Sequence, residues 1–452
     1  MNKKCFSADK LDQYISGCIA IVWSLKIKRY QLNVLSVCLA TGRKINRRTA
    51  IKQLVAFQLS WAFSVHREKM AETPKRKKKQ ISIDSRSNRV ELGVGSYGNV
   101  FKGKYKGRPV AVKRVLLHNY SQNEEEAMLK LDHPNIIKLL HCESDNDFRY
   151  YAMKLCVASL DKLFLQSDHP QKYNGPMPRH IEVFHQLASG LEHIHSKNLI
   201  HRDIKPENIL ISMQTAGQNE EITIKWADFG LSRTVNERGT FTMKSGIKGT
   251  KKWFAPEILR LLETGEEGRG DVRSDVFALA LVFGCLFLDG QHLYGSALNK
   301  DELVKNIIEG KPVNMQKIDE KLRGLYENEL LQKMLEDDPS KRMTSKQVVD
   351  QLKSIKEELA RKEEELRQLC AGDIQLELAE KIKDLIRLGI DVNAKDKDGN
   401  IALDYLYKNR SRNPNQHVAD AITILEAETV TRSTKRKGEE PHADANEHKK
   451  RG

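Results

Sequence analysis

Cysteine is scarce in this 452-residue sequence, and its spacing excludes two common ways of stabilising a fold. There are seven cysteines, an odd number, and no two of them form a CxxC pair. We therefore expect neither a disulfide framework nor a structural zinc site, and the pattern is typical of a reducing compartment. Cytoplasmic localisation is the expectation that follows.

Long apolar runs are also missing. The apolar stretches at 14–25 and 276–288 both fall short of the roughly 20 residues that a membrane-spanning helix needs. Asp9 and Asp12 precede the first stretch, and no clear small-residue cleavage site is present, so a signal peptide is not indicated. We expect no membrane span, and we interpret 276–288 as a buried core helix.

Excess positive charge is confined to one end of the chain. Residues 1–84 hold 18 Lys and Arg against 5 Asp and Glu, which is +13 of the formal net charge of +15. Because the remainder is nearly neutral, a nucleic-acid-binding fold is not expected. The basic run 74–79 resembles a nuclear-import signal and leaves nuclear localisation open, with acidic-lipid or nucleic-acid contact, or a solvated linker, as alternatives. Met70 is an alternative start, in which case residues 1–69 would have no function.

Residues 201–208, read HRDIKPEN, concentrate side chains that are costly to place in a turn. They resemble the catalytic loop of protein kinases. This resemblance implies that Asp203 orients a substrate hydroxyl and accepts its proton, that Lys205 neutralises the transferred phosphate, and that Asn208 holds a metal ion. A polar turn before the apolar strand 209–211 is the alternative, but the motifs on both sides argue against it.

Upstream of this loop, Gly93, Gly95 and Gly98 form the pattern GxGxxGxV with Val100. A Rossmann turn shares the spacing, but a helix would follow it, whereas here a second strand follows. The pattern therefore favours a β-hairpin whose backbone amides approach phosphate groups. The next strand ends at Lys113 in the sequence V-A-V-K, which is typical of the kinase lysine that binds the α- and β-phosphates.

Lys113 requires a carboxylate partner from the following helix. Counting back from the kinase-like boundary at 133–136 selects Glu124, with Glu125 as the alternative. Met128 and Leu131 lie four and seven residues after Glu124, which places all three on one helical face.

Asp228 belongs to a DFG triplet 25 residues after Asp203 (228 − 203), and the resemblance implies that it binds Mg²⁺ together with Asn208. The resemblance also implies a set of ATP contacts, at Leu92, Gly93, Gly95, Gly98, Val100, Ala111, Lys113, Glu124, Met153, Cys156 and Leu210. Between the loop and the triplet, the polar insert at 212–221 is predicted to be a turn between strands.

The resemblance also implies that further residues hold this region together. Glu257, in the sequence Ala-Pro-Glu, is predicted to pair with Arg342. Asp275 is predicted to anchor the backbone of the catalytic loop from a buried helix. Thr250 is predicted to bridge the catalytic aspartate and lysine through its hydroxyl.

The type of substrate follows from Lys205, because lysine two residues after the catalytic aspartate is typical of serine/threonine kinases rather than tyrosine kinases. Arg202 precedes that aspartate, and kinases with this arginine often hold their activation segment through a phosphorylated residue. The hydroxyl residues of that segment are Ser232, Thr234, Thr240, Thr242 and Ser245, of which Thr242 and Ser245 are favoured.

Within the kinases, the chain resembles the kinase part of the inositol-requiring kinase/endoribonuclease family of the unfolded-protein response. The likeness covers roughly residues 90–352 and is carried by 155–160, by the insert after 211–212, and by 244–257. We expect no lumenal, transmembrane or nuclease part. The resemblance therefore implies a protein kinase, but neither RNA cleavage nor stress sensing.

The C-terminal region differs in character. Residues 351–370 are strongly charged, with leucine and isoleucine at a and d spacing that Lys362 interrupts. We expect a solvated helical spacer here, with pairing to a partner helix as the alternative. Residues 385–403 resemble an ankyrin repeat, with Gly389 and Gly399 at positions that need a left-handed or tight backbone. Since an isolated repeat cannot bury its apolar face, this segment is expected to dock on the kinase or on a partner.

The predicted fold is α+β, a bilobal protein kinase fold with a small all-α ankyrin-like appendage. The predicted divisions are a basic, poorly ordered segment at 1–85, the kinase domain at 86–356, a charged helical spacer at 357–371, the ankyrin-like segment at 372–430 and a disordered basic tail at 431–452.

The predicted function is transfer of the γ-phosphate of ATP, with Mg²⁺, to serine and threonine hydroxyls of proteins, including the chain's own activation segment. The predicted catalytic residues are Asp203, Lys205, Asn208 and Lys113. A non-catalytic scaffold that presents the ankyrin-like segment is the alternative, but a scaffold has no physical need for this set of residues. Protein substrates are the expected partners, while a protein partner of the ankyrin-like segment and self-association stay open.

Overall fold

The computed structural model describes residues 80–95, 98–120, 122–216, 219–242, 246–266, 268–326, 330–372, 377–412 and 415–437. All of them belong to one compact unit, Lys79–Gly452. The predictions for residues 1–79, including the basic run, and for Ser245 lie outside the described residues. Across the described ranges, no helix combines the length and the apolar character needed to cross a membrane.

The first lobe is an antiparallel sheet accompanied by one helix. Its strands are β1 (Ile81–Ile83), β2 (Glu91–Gly95), β3 (Gly98–Tyr105), β4 (Arg108–Leu116), β5 (Leu139–Ser144) and β6 (Phe148–Lys154), and helix α1 is Gln122–Lys130. The order is β1-β3-β4-β6-β5, and β2 pairs with the first half of β3. Because strand side chains alternate, Val110 and Val112 pack with Ile81 and Ala152, while Lys113 points to the opposite face. Since β1 belongs to this sheet, the predicted N-terminal segment ends before 85.

The second lobe is built around one apolar helix. Its helices are α2 (His180–Ser196), α3 (Pro256–Thr264), α4 (Arg273–Phe287), α5 (Lys300–Ile308), α6 (Glu320–Tyr326), α7 (Gln332–Met334) and α8 (Ser345–Ala371). Every residue of α4 from Asp275 to Leu286 is buried, as expected for a helix that is apolar on all sides. Phe184 of α2 stacks on Phe283 of α4 with ring centroids 4.0 Å apart. The prediction of a buried core helix at 276–288 is confirmed.

Short strands connect the helices of this lobe. They are β7 (Ala158–Ser159), β8 (Leu199–Ile200), β9 (Ile209–Ala216), β10 (Asn219–Trp226), β11 (Arg233–Thr234), β12 (Thr240–Thr242) and β13 (Arg269–Asp271). The pairings are β10-β9-β7, β11-β8 and β12-β13. The predicted turn at 212–221 is wrong, because β9 and β10 pair continuously from Trp226↔Ile209 to Asn219↔Ala216. The β-branched residues Ile222 and Thr223 favour this extended hairpin.

Helix α8 continues from the second lobe into the C-terminal region without a break. It begins at a capping box, in which Gln347 N donates to Thr344 Oγ1 at 3.3 Å and Thr344 N donates to Gln347 Oε1 at 2.8 Å. The prediction of a solvated spacer is wrong, because Leu359, Leu366 and Cys370 are each at most 2% exposed. The charged residues occupy the outer face, and the apolar stripe has partners that spacing alone did not reveal.

Those partners are the appendage helices α9 (Leu378–Arg387) and α10 (Ala402–Arg412), and a third helix, α11 (Gln416–Lys437), packs on α9 and α10. Glu363 of α8 joins the second lobe to the appendage. Its carboxylate pairs at 2.5 Å with Arg179, which directly precedes α2, and accepts a hydrogen bond from Asp391 N, in the appendage, at 3.0 Å. Gly389 and Gly399 have φ values of 78° and 83°, as predicted. The appendage therefore docks on the last helix of the second lobe, and α11 extends beyond the predicted boundary at 430. The predicted α+β, two-lobed fold with a helical C-terminal region is confirmed.

Candidate active site

Lys113 is held between two carboxylates that come from distant parts of the chain. Its Nζ donates to Glu124 Oε1 at 2.5 Å and to Asp228 Oδ1 at 2.8 Å. Lys113 lies on β4, Glu124 on α1, and Asp228 two residues after β10, so this contact joins the two lobes. The side chains of Lys113 and Glu124 are 7% and 4% exposed, whereas Asp228 is 36% exposed and remains accessible to a ligand.

Glu125, the alternative partner, binds a different cation. Arg149 on β6 donates from Nε and Nη2 to the two Glu125 carboxylate oxygens, at 2.8 and 2.5 Å. Successive helical residues point about 100° apart, so two adjacent glutamates cannot share one partner face. The structure pairs Glu124 with Lys113, which is the choice favoured by the helical face of Met128 and Leu131.

The charges of this cluster reinforce one another. Burial disfavours the ammonium of Lys113, but the carboxylates of Asp228 and Glu124 more than offset this effect and raise the pKa of Lys113. Burial would raise the pKa of Asp228, yet the ammonium of Lys113 lowers it below its ordinary value. Burial raises the pKa of Glu124 in spite of the neighbouring lysine. The cluster therefore keeps a cation on Lys113 and an anion on Asp228 at neutral pH.

The predicted phosphate loop is the β2–β3 hairpin, whose register pairs Gly95 with Gly98. Gly98 has a φ of 138°, and a Cβ atom there would lie 2.6 Å from the carbonyl oxygen of Arg114. Only glycine fits this position. At Gly93 a Cβ atom would meet nothing within 4 Å, so the space beside the loop is open. The tip of the hairpin, residues 96–97, lies outside the described part.

The side chains assigned to adenine lie on neighbouring strands. In the register of the sheet, Val100 is opposite Lys113 and Ala111 is opposite Met153. Ala111 is buried, and Val100 and Met153 are partly buried. These three side chains therefore form an apolar group beside Lys113, as an adenine site requires.

Three further residues predicted to contact ATP lie at the margins of this apolar group. Leu210 is partly buried on β9, opposite Lys225 of β10. Leu92 is 45% exposed at the start of the hairpin. Cys156 follows β6, its Sγ donates to the Lys154 carbonyl at 3.9 Å, and burial raises the pKa of its thiol.

The catalytic-loop residues form one hydrogen-bonded group around Asp203. Lys205 Nζ lies 2.7 Å from Asp203 Oδ2, and Asn208 Nδ2 donates to the same oxygen at 2.9 Å and to the Asp203 carbonyl at 2.8 Å. Thr250 bridges the pair: its Oγ1 accepts from Lys205 at 3.0 Å and donates to Asp203 Oδ1 at 3.3 Å. The predicted role of Thr250 as a bridge is confirmed. The orientation of the Asp203 carboxylate is therefore fixed by three side chains.

Asp275 anchors the loop from below, as predicted. Its carboxylate accepts from His201 N at 2.8 Å and from Arg202 N at 3.0 Å. Burial favours the protonated acid, but the hydrogen bond from His195 and the charge beside it lower the pKa of Asp275. Arg202 has a φ of 67°, a left-handed conformation that a non-glycine residue adopts only when its surroundings hold it.

His195 was missed in the sequence. Its Nε2 donates to Asp275 Oδ2 at 3.1 Å, and its Nδ1 contacts Ser345 Oγ, at the start of α8, at 2.9 Å. Helical spacing indicated that this region of α2 is partly buried, but it did not distinguish His195 from the nearby His193. Only the fold brings Asp275 and Ser345 to the two ring nitrogens.

The donor set fits a magnesium ion held jointly with a nucleotide. Asn208 Nδ2 donates to two Asp203 oxygens, which leaves the amide oxygen of Asn208 as its metal-binding group. With the Asp228 carboxylate this supplies hard oxygen ligands, and Mg²⁺ in such sites completes its shell with substrate phosphates and water. Among the described residues no group of three or more His, Cys, Asp or Glu side chains could hold a metal by itself.

The activation segment presents its hydroxyls unequally. Ser232 is buried, and Thr240 is partly buried and bonded to Asn236, whereas Thr234 and Thr242 are exposed. Ser232 is therefore not accessible to modification in this conformation. The segment ends at Glu257, whose two carboxylate oxygens accept from the two terminal nitrogens of Arg342, both at 2.9 Å. This pair was predicted, and its side chains are 17% and 0% exposed.

Comparison with known proteins gives the family of this chain. A family model described as the protein kinase domain matches residues 87–352. The serine/threonine-protein kinase/endoribonuclease ire-1 of Caenorhabditis elegans is 32% identical over 57% of this chain and 26% of its own length. The serine/threonine-protein kinase/endoribonuclease IRE2 of Homo sapiens is 33% identical over 57% of this chain and 27% of its own. The calcium-dependent protein kinase 5 of Plasmodium falciparum is 34% identical over 50% of this chain and 37% of its own.

The chain thus spans about a quarter of the length of the first two relatives, so what their other parts do is not transferred to it. The family model covers 266 of the 452 residues, from 87 to 352 inclusive, which is more than half of the chain. The matched region contains the lysine, the two aspartates and the asparagine described above. This protein belongs to the protein kinase family.

Proposed function

We propose that this protein is a serine/threonine kinase that transfers the γ-phosphate of ATP to hydroxyls of protein substrates. The observation that carries the proposal is the contact of Lys113 with both Glu124 and Asp228, at 2.5 and 2.8 Å. A kinase needs this lysine and the metal-binding aspartate in place together. A scaffold without catalysis gains nothing from burying such a charged cluster, because desolvation of buried charges is costly.

The catalytic-loop residues have distinct roles in this proposal. Asp203 orients the acceptor hydroxyl and takes its proton as the oxygen attacks the γ-phosphorus of ATP, while the bond from that phosphorus to the β–γ bridging oxygen breaks and ADP leaves. Lys205 and Lys113 stabilise negative charge on the phosphoryl oxygens, and Asn208 and Asp228 are the metal ligands. Mg-ATP, when bound, supplies the phosphoryl group. Most of the acceleration comes from positioning and charge neutralisation by groups that are already oriented.

Specificity for serine and threonine is supported by the Lys205–Thr250–Asp203 group, in which the lysine amine lies beside the carboxylate at 2.7 Å. Autophosphorylation is a further part of the proposal, and the exposed Thr242 is the favoured described site. The helical appendage, with glycines at the two predicted turn positions, supports an ankyrin-like module. We propose that any partner of this module binds the surface left exposed after it docks on α8.

The test is transfer of labelled γ-phosphate from Mg-ATP to the chain itself and to a generic protein substrate, with the full chain and its Asp203→Asn variant. The variant should lose transfer by about 1,000-fold or more, since the base and its orienting contacts are lost together. A thermal shift with Mg-ATP in both proteins controls for folding and nucleotide binding. Equal, background-level transfer by two proteins that both bind Mg-ATP would overturn the proposal in favour of the scaffold.

A further inference from the structure

The activation segment carries a block of positive charge beside the proposed base. Residues 239–256 contain four lysines, at 244, 248, 251 and 252, and no aspartate or glutamate. Lys248 and Lys251 are both exposed. Lys251 directly follows Thr250, whose hydroxyl lies 3.3 Å from Asp203 Oδ1. Positive charge is therefore concentrated within a few residues of the carboxylate that would meet the acceptor hydroxyl.

A pocket lies at this point, and four charged residues line it. Three of the four are already engaged. Arg202 donates to the Leu231 carbonyl at 2.6 Å, Asp203 is bonded within the catalytic loop, and Asp275 holds the loop amides. Lys248, by contrast, is exposed, and no hydrogen bond or ion pair joins it to a residue that the structure describes. It is the charge in this pocket that is available to a ligand.

The neighbouring lysines divide in the same way. Lys251 also forms no ion pair within the described residues. Lys252 differs from both: it is partly buried, and its Nζ lies 5.5 Å from the centroid of the Trp253 ring. Lys252 is thus less available to a ligand. Within residues 246–257, which the structure describes, Lys248 and Lys251 are the exposed lysines.

On the basis of the kinase function proposed above, we propose that the preferred substrates are acidic. They contain a serine or threonine that has aspartate, glutamate or a phosphorylated residue within three positions of it. The carboxylates or phosphate of such a peptide bind Lys248 and Lys251 while its hydroxyl contacts Asp203. Each ion pair at an exposed site is weak, so each one raises the affinity for the peptide by only a modest factor. The preference is electrostatic and falls as salt rises, because exposed charges are screened.

The experiment uses the full chain after phosphatase treatment, which removes any phosphate of its own from the activation segment. A neutral parent peptide with one serine is compared with versions that carry two aspartates within three residues of the serine, and with a version that carries them eight residues away. Binding is measured by fluorescence anisotropy and transfer by labelled γ-phosphate, at 50 and 500 mM salt. The variants are Lys248→Glu/Lys251→Glu and, as the matched control, Lys300→Glu. Lys300 is an exposed lysine in the first turn of α5, where an acidic residue is favourable.

Close aspartates should improve both affinity and kcat/KM by about five-fold at low salt, and by little at high salt. The double variant should lose or invert the preference, while Lys300→Glu keeps it. Equal results for all peptides, or equal gains from distant aspartates, would overturn the inference and leave the kinase function intact. If anisotropy shows the preference but no peptide and no protein is phosphorylated, the kinase function fails, whereas the binding of acidic peptides by this basic surface stands.

Discussion

The burial of Leu366 leads to a prediction about where the folded kinase unit ends. Leu366 lies on α8, ten residues beyond the predicted domain boundary at 356, and it is 1% exposed in the main core. Leu366→Ala removes apolar contacts and leaves a cavity, which for buried leucines costs about 3–5 kcal/mol. Domains are typically stable by only about 5–15 kcal/mol, so the free energy of unfolding should fall by a large fraction.

The assay is urea unfolding of the full chain followed by far-UV circular dichroism, with hydrogen exchange to report individual helices. Leu366→Ala should lower the midpoint without a second transition, and protection should fall together in α2, α8 and the appendage. Glu358→Ala, an exposed position on the same helix, is the control and should change stability by less than about 0.5 kcal/mol.

Two results would refute the reasoning. One is a loss below about 1 kcal/mol, which would mean that Leu366 is not packed against the appendage. The other is separate melting of the appendage with unchanged protection in α2, which would mean that α8 does not join the two parts cooperatively.

Three further predictions follow from the site and the second lobe. Glu124→Gln should lower kcat/KM by roughly 10–100-fold because the lysine of β4 loses its buried ionic partner, whereas Glu125→Gln should affect thermal stability more than turnover. Gly98→Ala should lower the melting temperature without nucleotide, since its Cβ would overlap a carbonyl, while Gly93→Ala should leave it unchanged. Burial lowers the pKa of His292 to about 4 in the folded protein, so as the pH drops below 6.5 the histidine is protonated in the unfolded chain before it is in the folded one. The free energy of unfolding should therefore fall by up to about 3 kcal/mol between pH 6.5 and about 4 because of this residue. Urea unfolding at each pH should show a weaker pH dependence of that free energy in His292→Gln.

The residues that carry chemistry were the most predictable part of the molecule. Phosphate transfer needs a lysine, a base, a metal-binding carboxylate and glycines in a fixed order, so the motifs around Lys113, Asp203 and Asp228 can be recognised from the sequence alone. Even so, three consecutive glutamates left the choice between Glu124 and Glu125 to the phase of a helix. The structure resolves it because Arg149, from a strand remote in sequence, binds Glu125.

Features that depend on tertiary packing were less predictable. The insert at 212–221 is polar in composition, yet it forms strands because β9 and β10 extend each other. Ser232 appeared available in the sequence but is buried in the fold. The charged surface of α8 and the interruption at Lys362 suggested a solvated spacer, since the helices that cover its apolar stripe come later in the chain. No local pattern contains that information.

The hydrogen bonds of His195 connect the start of α8 to the catalytic loop. Ser345, where the helix that carries the appendage begins, contacts His195, and His195 contacts the carboxylate that holds the catalytic loop. A partner that tilts this helix on binding therefore acts through two hydrogen bonds on the loop's geometry. Thermodynamic reciprocity then applies: a partner that changes nucleotide or substrate affinity must itself bind more or less tightly, by the same factor, when nucleotide or substrate is present.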